Sequence, residues 1–278
     1  MIKNTPICLF DSGIGGLTVV KKLLKKFPNE SYIYLADLAR VPYGDRTKEE
    51  IKSFVNEIIE WLSKFDSKLI IMACNTSSAI SNQAETGLMA SQQQSILNSQ
   101  LSILNFPVYG MIESCAKEIA KSNYKKVSVW ATKLVVESNS YKKSIQKYNP
   151  NIIVEEIACP KLVPMIEDLS FTISERNKII SEYLNETSKD TEALILGCTH
   201  YPLISEDITH LSKLQTIDPT DSLIKELEQK ITTRSSSVIT PNISLYATAQ
   251  IEKVKRFSKL YLGSDFETSL VVLSKASV

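Results

Sequence analysis

Apolar residues along this chain fall into two alternating patterns. Ile7–Phe10, Tyr32–Leu35, Leu69–Ala73, Val127–Trp130, Ile152–Ile157 and Ala193–Leu196 are short apolar runs that predict strands. Val19–Phe27, Lys48–Lys64, Glu113–Lys121, Asn139–Tyr148 and Ile173–Leu184 instead repeat apolar positions every three or four residues, which predicts amphipathic helices. Strand–helix alternation predicts an α/β fold with mostly parallel sheets covered by helices on both faces. In such sheets ligands bind beyond the carboxyl ends of the strands.

The polar, Gln/Ser-rich stretch Ser91–Ser102 interrupts this alternation and reads as a surface insertion or linker. A domain boundary is expected just after it, and 278 residues suit two domains at roughly 150 residues each. The two halves share a device. KLIIMACNTS (Lys68–Ser77) and EALILGCTHY (Glu192–Tyr201) are both apolar strands that end in a cysteine followed at once by polar residues. No short period recurs, so this is a two-fold pseudo-repeat and not a solenoid.

Composition narrows the function classes. The chain is 43% hydrophobic and 23% charged, as expected of a globular protein. Its 32 Lys+Arg and 31 Asp+Glu give a net charge of +1, so neither nucleic acid nor an anionic membrane is an expected partner. No apolar run reaches the roughly 18–20 residues of a membrane span. The start, MIKNTPICLFDSG, lacks a signal-peptide core, so a cytoplasmic protein is expected. Five cysteines (Cys8, Cys74, Cys115, Cys159, Cys198) make an odd count without a CxxC pair, which argues against a disulfide framework. The two histidines, His200 and His210, form no finger-like cluster with them, so no metal is expected. A special cysteine here would be a reactive thiol.

Four segments carry candidate chemistry. Asp11–Gly16, DSGIGG, follows a strand directly; its glycines allow close backbone approach and the following helix N-terminus favours an anion. The same segment also reads as a tight turn capped by Asp11. Cys74-Asn75-Thr76 places a thiol at a strand end just before a helix start, where a thiolate is stabilised. Asn75 and Thr76 can bond a ligand carboxylate or amino group. Cys198-Thr199-His200 repeats the arrangement, with His200 able to polarise the thiol or take its proton. Either cysteine alone reads as an inert core thiol; their pairing is what points to chemistry. Inverting a carbon centre needs a base on one face and an acid on the other, and two thiols near their usual pKa of ~8.5 can exchange those roles. In ADLARVPYGDRT, Asp37 can neutralise a substrate ammonium, and Tyr43-Gly44 offers a hydroxyl and an open amide, although a surface loop is the plainer reading. No dinucleotide fingerprint or Schiff-base lysine motif is evident, so no cofactor is expected.

The motifs DSGIGGLTVV, DLARVPYG, ACNTSSA, ACPKLVPMIE and LILGCTHYPL, in this order, closely resemble the bacterial glutamate racemases. The resemblance runs from Ile7 to about Ser222, and the tail YATAQIEKVKRFSKLYLG is also similar to that family's C-terminal segment. It implies two similar α/β domains with mostly parallel central sheets, related by a pseudo-two-fold axis, with the active site in the cleft between them. We take residues 1–106 plus 220–278 as the domain carrying Cys74, and 107–219 as the domain carrying Cys198. The resemblance further implies cofactor-independent interconversion of L- and D-glutamate, the D-isomer feeding peptidoglycan synthesis, and a homodimer. Cys74 would act on D-glutamate and Cys198 on L-glutamate. Asp11 with Ser12, Asp37, Tyr43 with Gly44, Asn75 with Thr76, Thr132, and Thr199 with His200 would contact substrate. Asp11, Asp37, Glu167 and His200 would assist the thiols or orient the substrate. The residues around Glu167 do not by themselves mark it out, since most such glutamates are merely solvated. Alternatives are an aspartate or hydantoin racemase, or a non-catalytic binding protein on this fold. Three departures stand out: Val135 replaces the second threonine of a Thr-x-x-Thr pattern begun by Thr132, Ser91–Ser102 is inserted, and ATAQ stands where the family often has a glycine. The last is expected to affect only local tail geometry.

Overall fold

The computed structural model describes residues 5–82, 106–231 and 242–273; Ser91–Ser102 lies outside the described residues. In chain order the first elements are β1 (Ile7–Asp11), α1 (Leu17–Lys26), β2 (Tyr32–Ala36), α2 (Lys48–Leu62), β3 (Leu69–Met72), α3 (Asn75–Asn82) and β4 (Val108–Gly110). There follow α4 (Met111–Ala120), β5 (Lys126–Ala131), α5 (Lys133–Ser138), α6 (Ser140–Tyr148), β6 (Ile153–Ala158), α7 (Leu162–Glu167), α8 (Ile173–Glu186), β7 (Ala193–Gly197), α9 (Ser205–Ser212), β8 (Gln215–Ile217) and α10 (Pro219–Glu228). The chain ends with β9 (Ile243–Ala247), α11 (Ile251–Leu262) and β10 (Thr268–Leu270). It divides into two compact units: Met1–Gly110 with Leu227–Val278, and Met111–Glu226.

The first unit holds a six-stranded parallel sheet in the order β10-β9-β2-β1-β3-β4. Every residue of β1, β2 and β3 is buried, as strands covered on both faces must be, and this explains their continuous apolar runs. α2 starts where the sequence supplies a capping box: the Glu50 amide donates to Thr47 Oγ1 and the Glu50 carboxylate accepts from the Thr47 amide.

The second unit holds a four-stranded parallel sheet in the order β6-β5-β7-β8. One of its helical layers packs Leu162, Met165, Ile180 and Tyr183 against Trp130, Leu194 and Leu196 of the sheet. Trp130 is fully buried, and its indole N–H is satisfied by Thr187 Oγ1 at 3.0 Å. Thr172 and Glu175 form a second capping box at the start of α8. Both sheets therefore follow the α/β plan that the hydrophobic pattern predicts. The pattern does not reveal β4, β8, β9 and β10, which are short or only partly buried. Among the described residues no helix is long and apolar enough to cross a membrane.

Candidate active site

Parallel pairing brings the carboxyl ends of β1, β2 and β3 side by side. The Asp37 amide donates to the Asp11 carbonyl at 2.9 Å, and the Ala73 amide donates to that of Phe10 at 2.9 Å. Asp11, Asp37 and Cys74 thus leave three neighbouring strands at one edge of the sheet. Asp11 is buried, and its Oδ2 accepts from the Gly16 amide at 2.6 Å. A Cβ at Gly16 would stand 2.7 Å from Asp11 Cβ and 2.8 Å from the Tyr34 ring, so only glycine lets the turn close on its own carboxylate. Tyr34 braces the same turn by donating to the Gly13 carbonyl at 2.7 Å.

Cys74 sits in this corner, buried, with its thiol 3.6 Å from Ser12 Oγ. Burial and the Asp11 charge push its pKa up to about 11, while the Ser77 amide and the hydroxyls of Ser12 and Ser77 pull it partly back. At neutral pH it is accordingly a neutral thiol with three donors ready for a thiolate. Asn75 and Thr76 begin α3 and are both buried.

The loop after β2 is tied together by Asp37. This fully buried carboxylate accepts from Arg40 Nε at 2.6 Å, from the Tyr43 hydroxyl, and from Thr248 Oγ1 at 2.8 Å. Arg40 reaches on to Glu57 at 2.9 Å and lies over the Phe54 ring, 4.3 Å from its centroid. The carboxylate expected to meet a substrate ammonium is engaged with these three groups. Burial and the Asp37 charge hold the Tyr43 phenol well above its ordinary pKa, and the charge of Cys74 adds to this. Tyr43 and Gly44 form a 3₁₀ turn with Asp45.

The second unit builds a matching corner. Cys198 directly follows β7 and is buried. Ala131 of β5 pairs with Gly197, so Thr132 and Cys198 leave adjacent strands. His200 Nδ1 lies 3.8 Å from Cys198 Sγ, and Nε2 lies 2.9 Å from Glu167 Oε1 at the end of α7. Burial alone would lower the His200 pKa. The hydrogen bonds and charges of Cys198 and Glu167 outweigh it and push it up to about 10. The surroundings of this sulfur therefore favour the protonated imidazole, whereas the charge near Cys74 is the Asp11 carboxylate. Thr199 is buried in the same corner. Thr132 precedes α5 in an extended conformation, and Val135, where a threonine would complete the pattern, is fully buried one turn later.

The two corners thus gather Asp11, Ser12, Asp37, Tyr43, Asn75 and Thr76 around Cys74, and Glu167, Thr199 and His200 around Cys198. Ser77, Arg40 and Thr248 also join the first corner, through Cys74 and Asp37. A serine three residues beyond the strand-end thiol was a usable signal for Ser77, and the Asp-x-x-Arg spacing was one for Arg40. Nothing local marks Thr248. Among the described residues no group of three His, Cys, Asp or Glu side chains is placed to hold a metal ion.

A parallel-sheet unit in which an interior strand leads into a buried, hydrogen-bonded thiol, built twice, defines a two-cysteine α/β protein. The model of the Asp/Glu/hydantoin racemase family matches residues 15–227, and the chain belongs to that family. It is 33% identical to the glutamate racemase of Fusobacterium nucleatum over 95% of this chain and 97% of that protein. Among solved structures, it is similar to glutamate racemase RacE1 of Bacillus anthracis, with a TM-score of 0.85, 29% identity and 98% of each chain covered. Glutamate racemase of Francisella tularensis in complex with D-glutamate gives a TM-score of 0.82 and 34% identity over 98% of this chain and 99% of that one.

Proposed function

We propose that this protein is a glutamate racemase, interconverting L- and D-glutamate by proton transfer through Cys74 and Cys198 without an added cofactor. The observation that carries the reading is the duplicated thiol, each member following an interior parallel strand of a racemase-family chain. Glutamate as substrate is supported by the names of the relatives, one of whose structures holds D-glutamate. From L-glutamate, the Cys198 thiolate takes the α-proton and the bonding pair stays on carbon. The Cys74 thiol then delivers its proton to the opposite face. The two sulfurs have then exchanged protonation states, and proton exchange with water resets them. A neutral Cys74 and a cation beside Cys198 suit this direction. Asp11, Ser12, Tyr43, Gly44, Asn75, Thr76, Thr132 and Thr199 hold the carboxylates and the ammonium, and Glu167 keeps His200 protonated. A cytoplasmic homodimer that supplies D-glutamate for peptidoglycan completes the reading.

The test is the circular dichroism of purified protein given L-glutamate, with L-aspartate in parallel and no cofactor added. Decay of the glutamate signal to zero is expected. Decay with aspartate alone would move the substrate, and flat traces with both would overturn the reading.

A further inference from the structure

We propose that Thr248 is a positioning residue for the Tyr43-Gly44 loop, acting through Asp37; this rests on the racemase reading above. Thr248 follows β9, and three hydrogen bonds join it to the end of β2 and the segment that follows. Its amide donates to the Ala36 carbonyl at 3.1 Å, which extends the β2–β9 ladder by one rung. Its hydroxyl donates to Asp37 Oδ1 at 2.8 Å and accepts from the Ala39 amide at 2.9 Å. The other carboxylate oxygen of Asp37 holds Arg40 and Tyr43.

Each contact sets the next. The Thr248 hydroxyl fixes the rotation of the Asp37 carboxylate, so Oδ2 faces the Tyr43 hydroxyl. The Tyr43 hydroxyl donates its hydrogen bond to Asp37 and keeps its proton, so the lone pairs of the phenol oxygen remain available to accept. The turn that presents Gly44 inherits that position. Removing the hydroxyl would strip Asp37 Oδ1 of this partner and leave the Ala39 amide without its acceptor, so the carboxylate would be held through Oδ2 alone and its rotation less fixed. The peptide ladder at Ala36 would persist, because it needs no side chain. The damage should therefore fall on the loop and leave the fold intact.

The experiment compares wild type with Thr248→Val, which keeps the shape, Thr248→Ser, which keeps the hydroxyl, and Thr248→Ala, which removes the hydroxyl without adding bulk. Racemisation of L- and D-glutamate is followed by circular dichroism and folding by thermal unfolding. Loss of one polar partner predicts a roughly tenfold lower kcat/KM in the Val and Ala variants. A grip made in ground and transition state alike puts most of that into KM. Thr248→Ser should restore most of it. A lower unfolding temperature with unchanged KM, or an equal loss in Thr248→Ser, would overturn the inference and leave a structural rung only. If Thr248→Val misfolds, Thr248→Ala decides in the same way. Wild type that is inert toward glutamate would overturn the racemase reading and this inference with it. Active wild type with unimpaired Val and Ala variants overturns the inference alone.

Discussion

His200 Nε2 lies 2.9 Å from Glu167 Oε1, although the two residues are 33 positions apart. The contact places the Glu167 carboxylate behind the imidazole whose Nδ1 lies 3.8 Å from Cys198 Sγ. At Cys74 the charge of Asp11 adds to burial in raising the thiol pKa. Two corners alike in strand and thiol therefore differ in the charged groups near the sulfur: Asp11 at one, His200 backed by Glu167 at the other.

The two thiols should be separately indispensable. Cys74→Ser and Cys198→Ser each put a far weaker acid or base on one face, and general acid–base catalysis typically contributes on the order of 10²–10⁴ in rate. Racemisation followed by circular dichroism should fall by that order in each variant. Exchange of the substrate α-proton with deuterium, followed by NMR, should survive for one isomer only. Near wild-type racemisation by either variant would rule out the two-thiol mechanism.

The Glu167–His200 contact predicts a pH dependence with a definite sign. The His200 pKa is 6.5 in the unfolded chain and about 10 in the folded one, so between these values the native state holds a proton that the unfolded state releases. Its contribution to stability is fully present below 6.5 and is lost as pH rises through about 10. Glu167→Gln keeps the shape but removes a charge, so this contribution should be smaller and should be exhausted at a lower pH, and the alkaline loss of L-glutamate turnover should set in at lower pH. Urea unfolding and initial rates across this range check both. Superimposable wild-type and Glu167→Gln profiles would mean that the contact carries no charge coupling.

Gly197→Ala tests how tightly the second corner is held. An added Cβ would stand 2.8 Å from the Trp130 carbonyl oxygen and 3.0 Å from Ala131 Cβ, both on the adjacent strand. Backbone cannot yield as a flexible side chain would. A loss of about 1–3 kcal/mol is expected from overpacking of this kind. Displacement of the neighbouring Cys198 should also lower kcat. Denaturant midpoints and L-glutamate kinetics measure the two effects, and no change in either would show that β7 can move aside freely.

Much of this was legible in the sequence because it is local. Continuous apolar runs such as Ile7–Phe10 and Ala193–Leu196 mark strands buried on both faces, since alternation with polar residues would leave one face wet. Cys74 and Cys198 could be placed at strand ends by the abrupt change to polar residues after them. The partners of Asp37 and His200 could not be read this way. Thr248 meets Asp37 across 211 positions because β9 pairs with β2, and β9 is a five-residue strand of mixed burial whose neighbour nothing in its own residues specifies. The expectation that the ATAQ segment touches only tail geometry therefore gives way to a contact on the candidate site. The sequence by itself determined the long buried strands, the long amphipathic helices and the two thiols at strand ends, because each depends on neighbours within a few residues. Only the tertiary structure decided which carboxylate reaches which base, because hydrogen-bond networks close across strands whose order is set by packing.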